Sequence, residues 1–178
     1  TRNWYETEIG KFKKAIDMKI NEFGEFPEKL KTLDLPKDKK VLIYCTGGIR
    51  CEKAILEMQK QGFDKVYQLE GGILKYFEDV KNSEEWNGEC FVFDRRVAVD
   101  TNLNPSENYT FCPHCGQPAY DDVDCSRCGK VQKICKKCIE TKAPELQTCS
   151  KNCQHHTKIG SRVKRKEQGL TRQQRHER

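Results

Sequence analysis

The chain has 178 residues, at the upper edge of one domain or the lower edge of two, and 35% of them are hydrophobic. Eleven cysteines raise the prospect of a secreted disulfide scaffold, but no apolar signal stretch is present. The longest apolar run, Val41-Leu42-Ile43-Tyr44, is far too short to span a bilayer. These features lead us to expect a cytoplasmic protein with no membrane association. The net charge of +6 is uneven: from Lys151 onward nine Lys or Arg face Glu167 and Glu177, which leaves residues 1–150 at about −1.

Residues 4–15 mix aromatic and charged side chains and lead into Ile16-Asp17-Met18-Lys19-Ile20, whose alternation predicts a short half-buried strand. Residues 29–40 are charged, and Pro36 stops any helix there. Val41-Leu42-Ile43-Tyr44-Cys45 predicts a strand of the kind buried in a parallel sheet. Gly47 and Gly48 break it. Ala54, Ile55 and Met58 then mark one face of a helix over 51–62, with Gly62 as its stop. Val66-Tyr67-Gln68-Leu69 reads as the next strand, Gly71-Gly72 as its end, and 73–80 as another helix. This order predicts an α/β domain with a parallel sheet. Residues 90–99 read as one more extended piece, and 101–111, with Pro105 and Ser106, as a linker.

Composition changes after that point. Nearly all the strand-like apolar material precedes Phe93, whereas eight of the eleven cysteines lie between Cys112 and Cys153, among few bulky aliphatic residues. Such a segment needs metal or disulfides to hold a fold. We therefore expect a domain over 1–100, a cysteine-rich module over 112–157 and a basic, disordered tail over 158–178. The chain begins at Thr1 rather than Met, within what reads as a motif, and is expected to be part of a longer protein.

The loop Cys45-Thr46-Gly47-Gly48-Ile49-Arg50 is the chemical centre of the first domain. A thiol at the carboxyl end of a strand, before a glycine turn and a helix, meets converging backbone N–H groups and the positive end of a helix dipole. That setting lowers a thiol pKa from roughly 8.5 by one to several units and favours the nucleophilic thiolate. Arg50 adds a fixed charge at the rim, and Cys51, one step on, is a candidate to resolve an oxidised Cys45.

Four close cysteine pairs follow: Cys112/Cys115, Cys125/Cys128, Cys135/Cys138 and Cys149/Cys153. A CxxC turn presents two thiolates to one tetrahedral ion, so eight ligands imply about two structural zinc ions. Sequential pairing, with Cys112, Cys115, Cys125 and Cys128 on one ion, closes shorter loops than interleaved pairing and is the expected arrangement. His114, His155 and His156 are possible substitutes, with His114 expected to be exposed inside its knuckle. In the tail, Arg162, Lys164, Arg165 and Lys166 form a run that attracts phosphate backbones, although it also suits a solvated terminus.

Val41 to Arg50, Cys51-Glu52-Lys53-Ala54 and Val66-Tyr67-Gln68-Leu69-Glu70-Gly71-Gly72-Ile73 resemble the active-site strand, loop and following strand of a rhodanese domain. With the cysteine-rich module, and with Arg2-Asn3, Tyr5-Glu6, Gly10, Phe12 and Ala15 upstream, the chain is similar to the rhodanese-containing tRNA uridine(34) hydroxylases. That resemblance implies an oxidoreductase that makes 5-hydroxyuridine at the wobble position, with molecular oxygen as co-substrate, tRNA as partner and Cys45 and Arg50 as catalytic residues. It also implies an upstream domain that this chain does not contain. Thr46 stands where members of the wider fold often carry arginine. The alternatives are a sulfurtransferase that carries persulfide sulfur on Cys45 between donor and acceptor proteins, and a non-catalytic zinc and RNA binding module.

Overall fold

A computed structural model describes residues 1–80 and 83–169, with side chains up to residue 160. It divides into two compact units, Thr1–Glu107 and a second that begins at Asn108.

In the first unit, α1 (Trp4–Ile9) leads into β1 (Gly10–Phe12). The strand expected over 16–20 does not form. Asp17 instead accepts the Lys19 N–H at 2.8 Å, Lys19 turns to φ 49°, and only Ile20 makes a bridge, to Asn3. A local side-chain bond has taken the place of a ladder. Helix α2 (Phe26–Lys31) carries Pro27 in its first turn, where a missing N–H costs nothing.

Then come β2 (Val41–Ile43), α3 (Ile49–Lys60), β3 (Val66–Gln68) and α4 (Gly72–Asp79), in the order the sequence predicts. β2 and β3 are parallel, with Val41 opposite Val66 and Ile43 opposite Gln68. The strand expected to be wholly buried is not: Leu42 and its partner Tyr67 are 64% and 51% exposed. A cavity of about 340 Å³ lined by Met18, Phe26, Leu30, Leu42 and Met58 opens beside β2, and Cys45 is not among its walls.

Helix α3 buries Cys51, Ala54 and Met58, one stripe at helical spacing, against Ile20, Phe26, Leu30, Ile43 and Phe63. Helix α4 buries Ile73 and Phe77 in a second cluster with Trp86, Cys90, Val92 and Val99. β4 (Trp86–Gly88) pairs with β1, and Phe12 sits edge-to-face with Tyr44, Tyr76 and Trp86 at about 5 Å. The extended piece expected over 90–99 is a hairpin of β5 (Cys90–Phe91) and β6 (Ala98–Val99). Its turn closes because Asp94 binds the Arg96 N–H and guanidinium and Val97 adopts φ 64°.

The linker expected at 101–111 begins later than predicted. Asp100 accepts the N–H groups of Asn102 and Asn104, and Ser106 donates to the Ala98 carbonyl, so residues up to 106 fold back onto β6. The second unit opens with β7 (Thr110–Phe111) against β8 (Pro118–Ala119), followed by the hairpin β9 (Asp121–Asp124) and β10 (Val131–Ile134), then α5 (Lys136–Thr141). Three of the five residues in its core are cysteines. The disordered tail expected from residue 158 is corrected in part: α6 runs Lys151–Gly169. That stretch has no proline and is rich in Lys, Arg and Gln, all good helix formers. The side chains of Arg162, Lys164, Arg165 and Lys166 lie outside the described residues. Among the described residues no helix is long and apolar enough to cross a membrane.

Candidate active site and metal centres

Strand β2 delivers Cys45 two residues beyond its end, and α3 starts at Ile49, so the loop has only three residues in which to turn. Gly48 makes the turn at φ 89°, a backbone state side chains disfavour, and its N–H donates to Cys45 Sγ at 3.1 Å. The N–H groups of Arg50 and Cys51, at the start of α3, also point at the sulfur. Gly47, expected to share this duty, lies outside the left-handed region and faces open space. Cys51 is fully buried and donates its thiol proton to Cys45.

These donors decide the charge of the sulfur. The Cys51 hydrogen bond, aided by the two helix amides and the Arg50 charge, overcomes the cost of burial and lowers the Cys45 pKa to about 5. Cys51 moves the opposite way, because it shares its proton with the Cys45 thiolate and is itself buried. A third buried thiol, Cys90, is pushed up to about 11, chiefly by burial. One thiolate therefore stands beside two protonated thiols at neutral pH. It is a nucleophile and a redox-active group.

The loop is clamped from a second side. Gly72 has φ 69°, and a Cβ there would lie 2.5 Å from the Thr46 carbonyl oxygen and 2.6 Å from that of Cys45. Because glycine leaves that space, the first turn of α4 reaches the loop. Ile73 N–H donates to the Cys45 carbonyl at 3.1 Å and Leu74 N–H to that of Thr46 at 3.2 Å.

Arg50, expected from the sequence as a fixed charge at the rim, is held by a carboxylate. Its two terminal nitrogens bind both oxygens of Glu6, at 2.6 and 2.7 Å. Glu6 is completely buried on α1, where it also accepts the Asn3 N–H at 2.9 Å, and Arg2 lies 3.4 Å away. Despite burial, which works against ionisation, the Arg50 hydrogen bonds and the Arg2 charge hold the Glu6 pKa below the usual carboxylate value. Thr46 donates to the Phe91 carbonyl at 3.2 Å and lies 3.4 Å from Glu6. Thus α1, the loop and α3 meet on one carboxylate, and Thr46 ties the loop to β5. Sequence reasoning missed the roles of Glu6, Arg2 and Gly72. Asn3 with Glu6 three residues on reads as a helix-start signature, but nothing local in the sequence points to a partner 44 residues away.

The cysteine pairs gather as two sets of four: Cys112, Cys115, Cys135 and Cys138, and Cys125, Cys128, Cys149 and Cys153. Within each set all sulfurs lie within 4.8 Å of one another. The pairing is interleaved, which overturns the sequential expectation. The hairpin explains it: Asp124 opposes Val131 at the end that carries Cys125, and Asp121 opposes Ile134 at the end that carries Cys135. Four strand residues separate those ends by about 10 Å, a distance that the small entropy gained from a shorter loop cannot offset. Cys115–Cys135, Cys128–Cys149 and Cys149–Cys153 sulfurs stand 3.5, 3.7 and 3.7 Å apart. The edge of a tetrahedron with metal–sulfur bonds of about 2.3 Å is about 3.8 Å. The donor set therefore fits an ion such as zinc, with no open position for catalysis. His114 is half-buried rather than exposed. It accepts the Thr148 N–H at 3.3 Å and ligates nothing, while His155 and His156 are exposed and belong to neither set.

The rhodanese-like domain family matches residues 1–79, and the rhodanase C-terminal family matches 87–154. Residues 1–79 therefore form a rhodanese-like domain. The cysteine clusters fall within the second match. The chain is also 53% identical over 153 residues to a protein of Bdellovibrio bacteriovorus called tRNA uridine(34) hydroxylase, a match that takes in 86% of this chain and 43% of that protein. It thus spans less than half the length of that relative.

Four outcomes are expected. Thiolate absorbance near 240 nm, measured as wild type minus Cys45→Ser, should persist as pH falls from 8 to 6 and vanish through about pH 5, because a thiol with a lowered pKa stays ionised until pH drops below that value. In Gly72→Ala the same transition should move upward, as the clash displaces the loop. Glu6→Gln leaves two arginines facing one neutral amide and should cost about 3–5 kcal/mol in urea unfolding of the first unit. In the second unit, elemental analysis should find about two zinc ions per chain. A strong chelator should remove them and abolish the slow amide exchange of β9 and β10, since thiolate–metal bonds are the main source of folding energy there.

Proposed function

We propose that this chain carries the reactive centre of a tRNA-modifying enzyme that hydroxylates the wobble uridine to 5-hydroxyuridine. The observation that carries the reading is the 53% identity to tRNA uridine(34) hydroxylase. A match of 153 residues in a chain of 178 must include the Cys45 loop and all eight clustered cysteines. Cys45 supplies the reactive thiolate, with Thr46, Gly47, Gly48 and Ile49 forming its cradle. Molecular oxygen is the co-substrate. Arg50, locked to Glu6, fixes the loop, and Cys51 holds the proton that keeps Cys45 ionised and stands ready to pair with it on oxidation. Zinc, held by the two cysteine sets, supplies structure alone. Substrate and enzyme meet in the cytoplasm, and the basic residues of the tail add phosphate contacts.

The electrostatics favour hydroxylation over sulfur transfer from an oxyanion donor such as thiosulfate. Two arginines, Arg2 and Arg50, are matched by Glu6 and the Cys45 thiolate, so the cradle has no surplus positive charge. Thr46 supplies a hydroxyl turned inward rather than a cation. A neutral uracil ring suits such a site better than a dianion.

In cells lacking the gene, wobble nucleosides analysed by mass spectrometry should lose 5-hydroxyuridine. The wild-type gene should restore it and Cys45→Ser should not. Restoration by Cys45→Ser would refute the role of the thiolate, and a level independent of the gene would refute the activity.

A further inference from the structure

Phe93 stands apart in burial from the residues before it. Phe91 and Val92 are 5% and 3% exposed, whereas Phe93 is 64% exposed. It begins the turn between β5 and β6, which Val92 and Val97 close with a hydrogen bond of 2.9 Å. Val97 holds φ 64°, a state a β-branched residue adopts only where its surroundings impose it. The ring is oriented by its neighbours. Phe91 meets it in a T at 4.9 Å, and Tyr5 meets Phe91 likewise at 5.3 Å.

Its position relative to the sulfur matters most. The Arg50 guanidinium lies 5.3 Å from the Phe93 ring centre, while the Arg50 backbone N–H points at Cys45. A single residue therefore bridges the thiolate and the exposed ring. Both Glu6 oxygens fix that guanidinium, so the ring is backed by an immobile cation. Gly47, on the loop that follows Cys45, leaves open space above the backbone. Two residues on, Arg95 is exposed and has no ion-pair partner among the described residues, whereas Arg96 is paired to Asp94.

An exposed, oriented aromatic ring, an arginine with no ion-pair partner on the same turn and, across Arg50, a buried reactive thiolate form an arrangement suited to an unpaired nucleotide. The base stacks on the ring and the phosphate meets the arginine. We propose that Phe93 is the stacking platform that presents the uracil ring to Cys45, and that Arg95 takes a flanking phosphate. This deepens the tRNA reading and rests on it. An oxyanion or a protein persulfide acceptor would have no use for a π-face at this place.

The test uses the 178-residue chain and a fluorescent single-stranded RNA heptamer with one central uridine, together with the same heptamer made abasic at that position. Phe93→Ala should weaken binding of the intact heptamer about 5- to 150-fold, the range a lost base–aromatic stack implies, with the salt dependence unchanged. Phe93→Trp should bind as well as wild type, and its added fluorescence should be quenched by the uridine. Arg95→Ala should reduce the salt slope by about 0.7. Wild type should lose as much on the abasic heptamer as Phe93→Ala loses on the intact one, with no further loss when the two changes are combined. If Phe93→Ala binds normally while wild type still rejects the abasic heptamer, the base is held elsewhere and the proposal falls with the tRNA reading intact. If wild type binds neither the heptamer nor tRNA at any salt concentration, both fall together.

Discussion

A buried carboxylate organises the first unit. Glu6 is fully enclosed, and an isolated charge in that place would be expelled or neutralised. It remains ionised because Arg50 grips it with both terminal nitrogens and Arg2 stands beside it. Arg50 is the second residue of α3, so the same pair that settles the charge of Glu6 also sets where α3 begins. The amides that face Cys45 are those of the first turn of that helix. The reactivity of the sulfur therefore depends on a pairing whose other half lies at the start of the chain.

Gly72 completes the clamp by what it lacks. Without a Cβ, α4 can place two N–H groups on the carbonyls of Cys45 and Thr46. The loop is held through its oxygens by α4, while its sulfur is held through the amides of α3. A loop fixed from both sides loses little entropy when a substrate arrives, which is how a preorganised site differs from a mobile one.

The sequence conveys these facts unequally. The strand, loop, helix, strand, helix core is legible because its apolar spacing and glycine breaks are local signals that agree with one another. Cys45 is legible for the same reason: thiol, glycines and helix start lie within six residues. Glu6 is not, since a glutamate in a short polar helix looks like a solvated one until its distant partner is known. The strand expected at 16–20 failed through a competing local bond from Asp17. The cysteine pairing failed because loop closure differs by only about 1 kcal/mol between the two schemes, whereas the hairpin between the pairs, which holds Cys125 and Cys135 at opposite ends, is a matter of geometry and not of spacing.

That interleaving has a consequence for birth. As the chain leaves the ribosome, the first four of the clustered thiols to appear are Cys112, Cys115, Cys125 and Cys128. They are competent to trap an ion in a set that the finished unit does not use. Neither native set can close until residue 138 has emerged, and the other waits for residue 153. A nascent chain that meets metal too early would have to release it again, and β9 and β10 must zip before the knuckles lock for the two knots to tie in the right order.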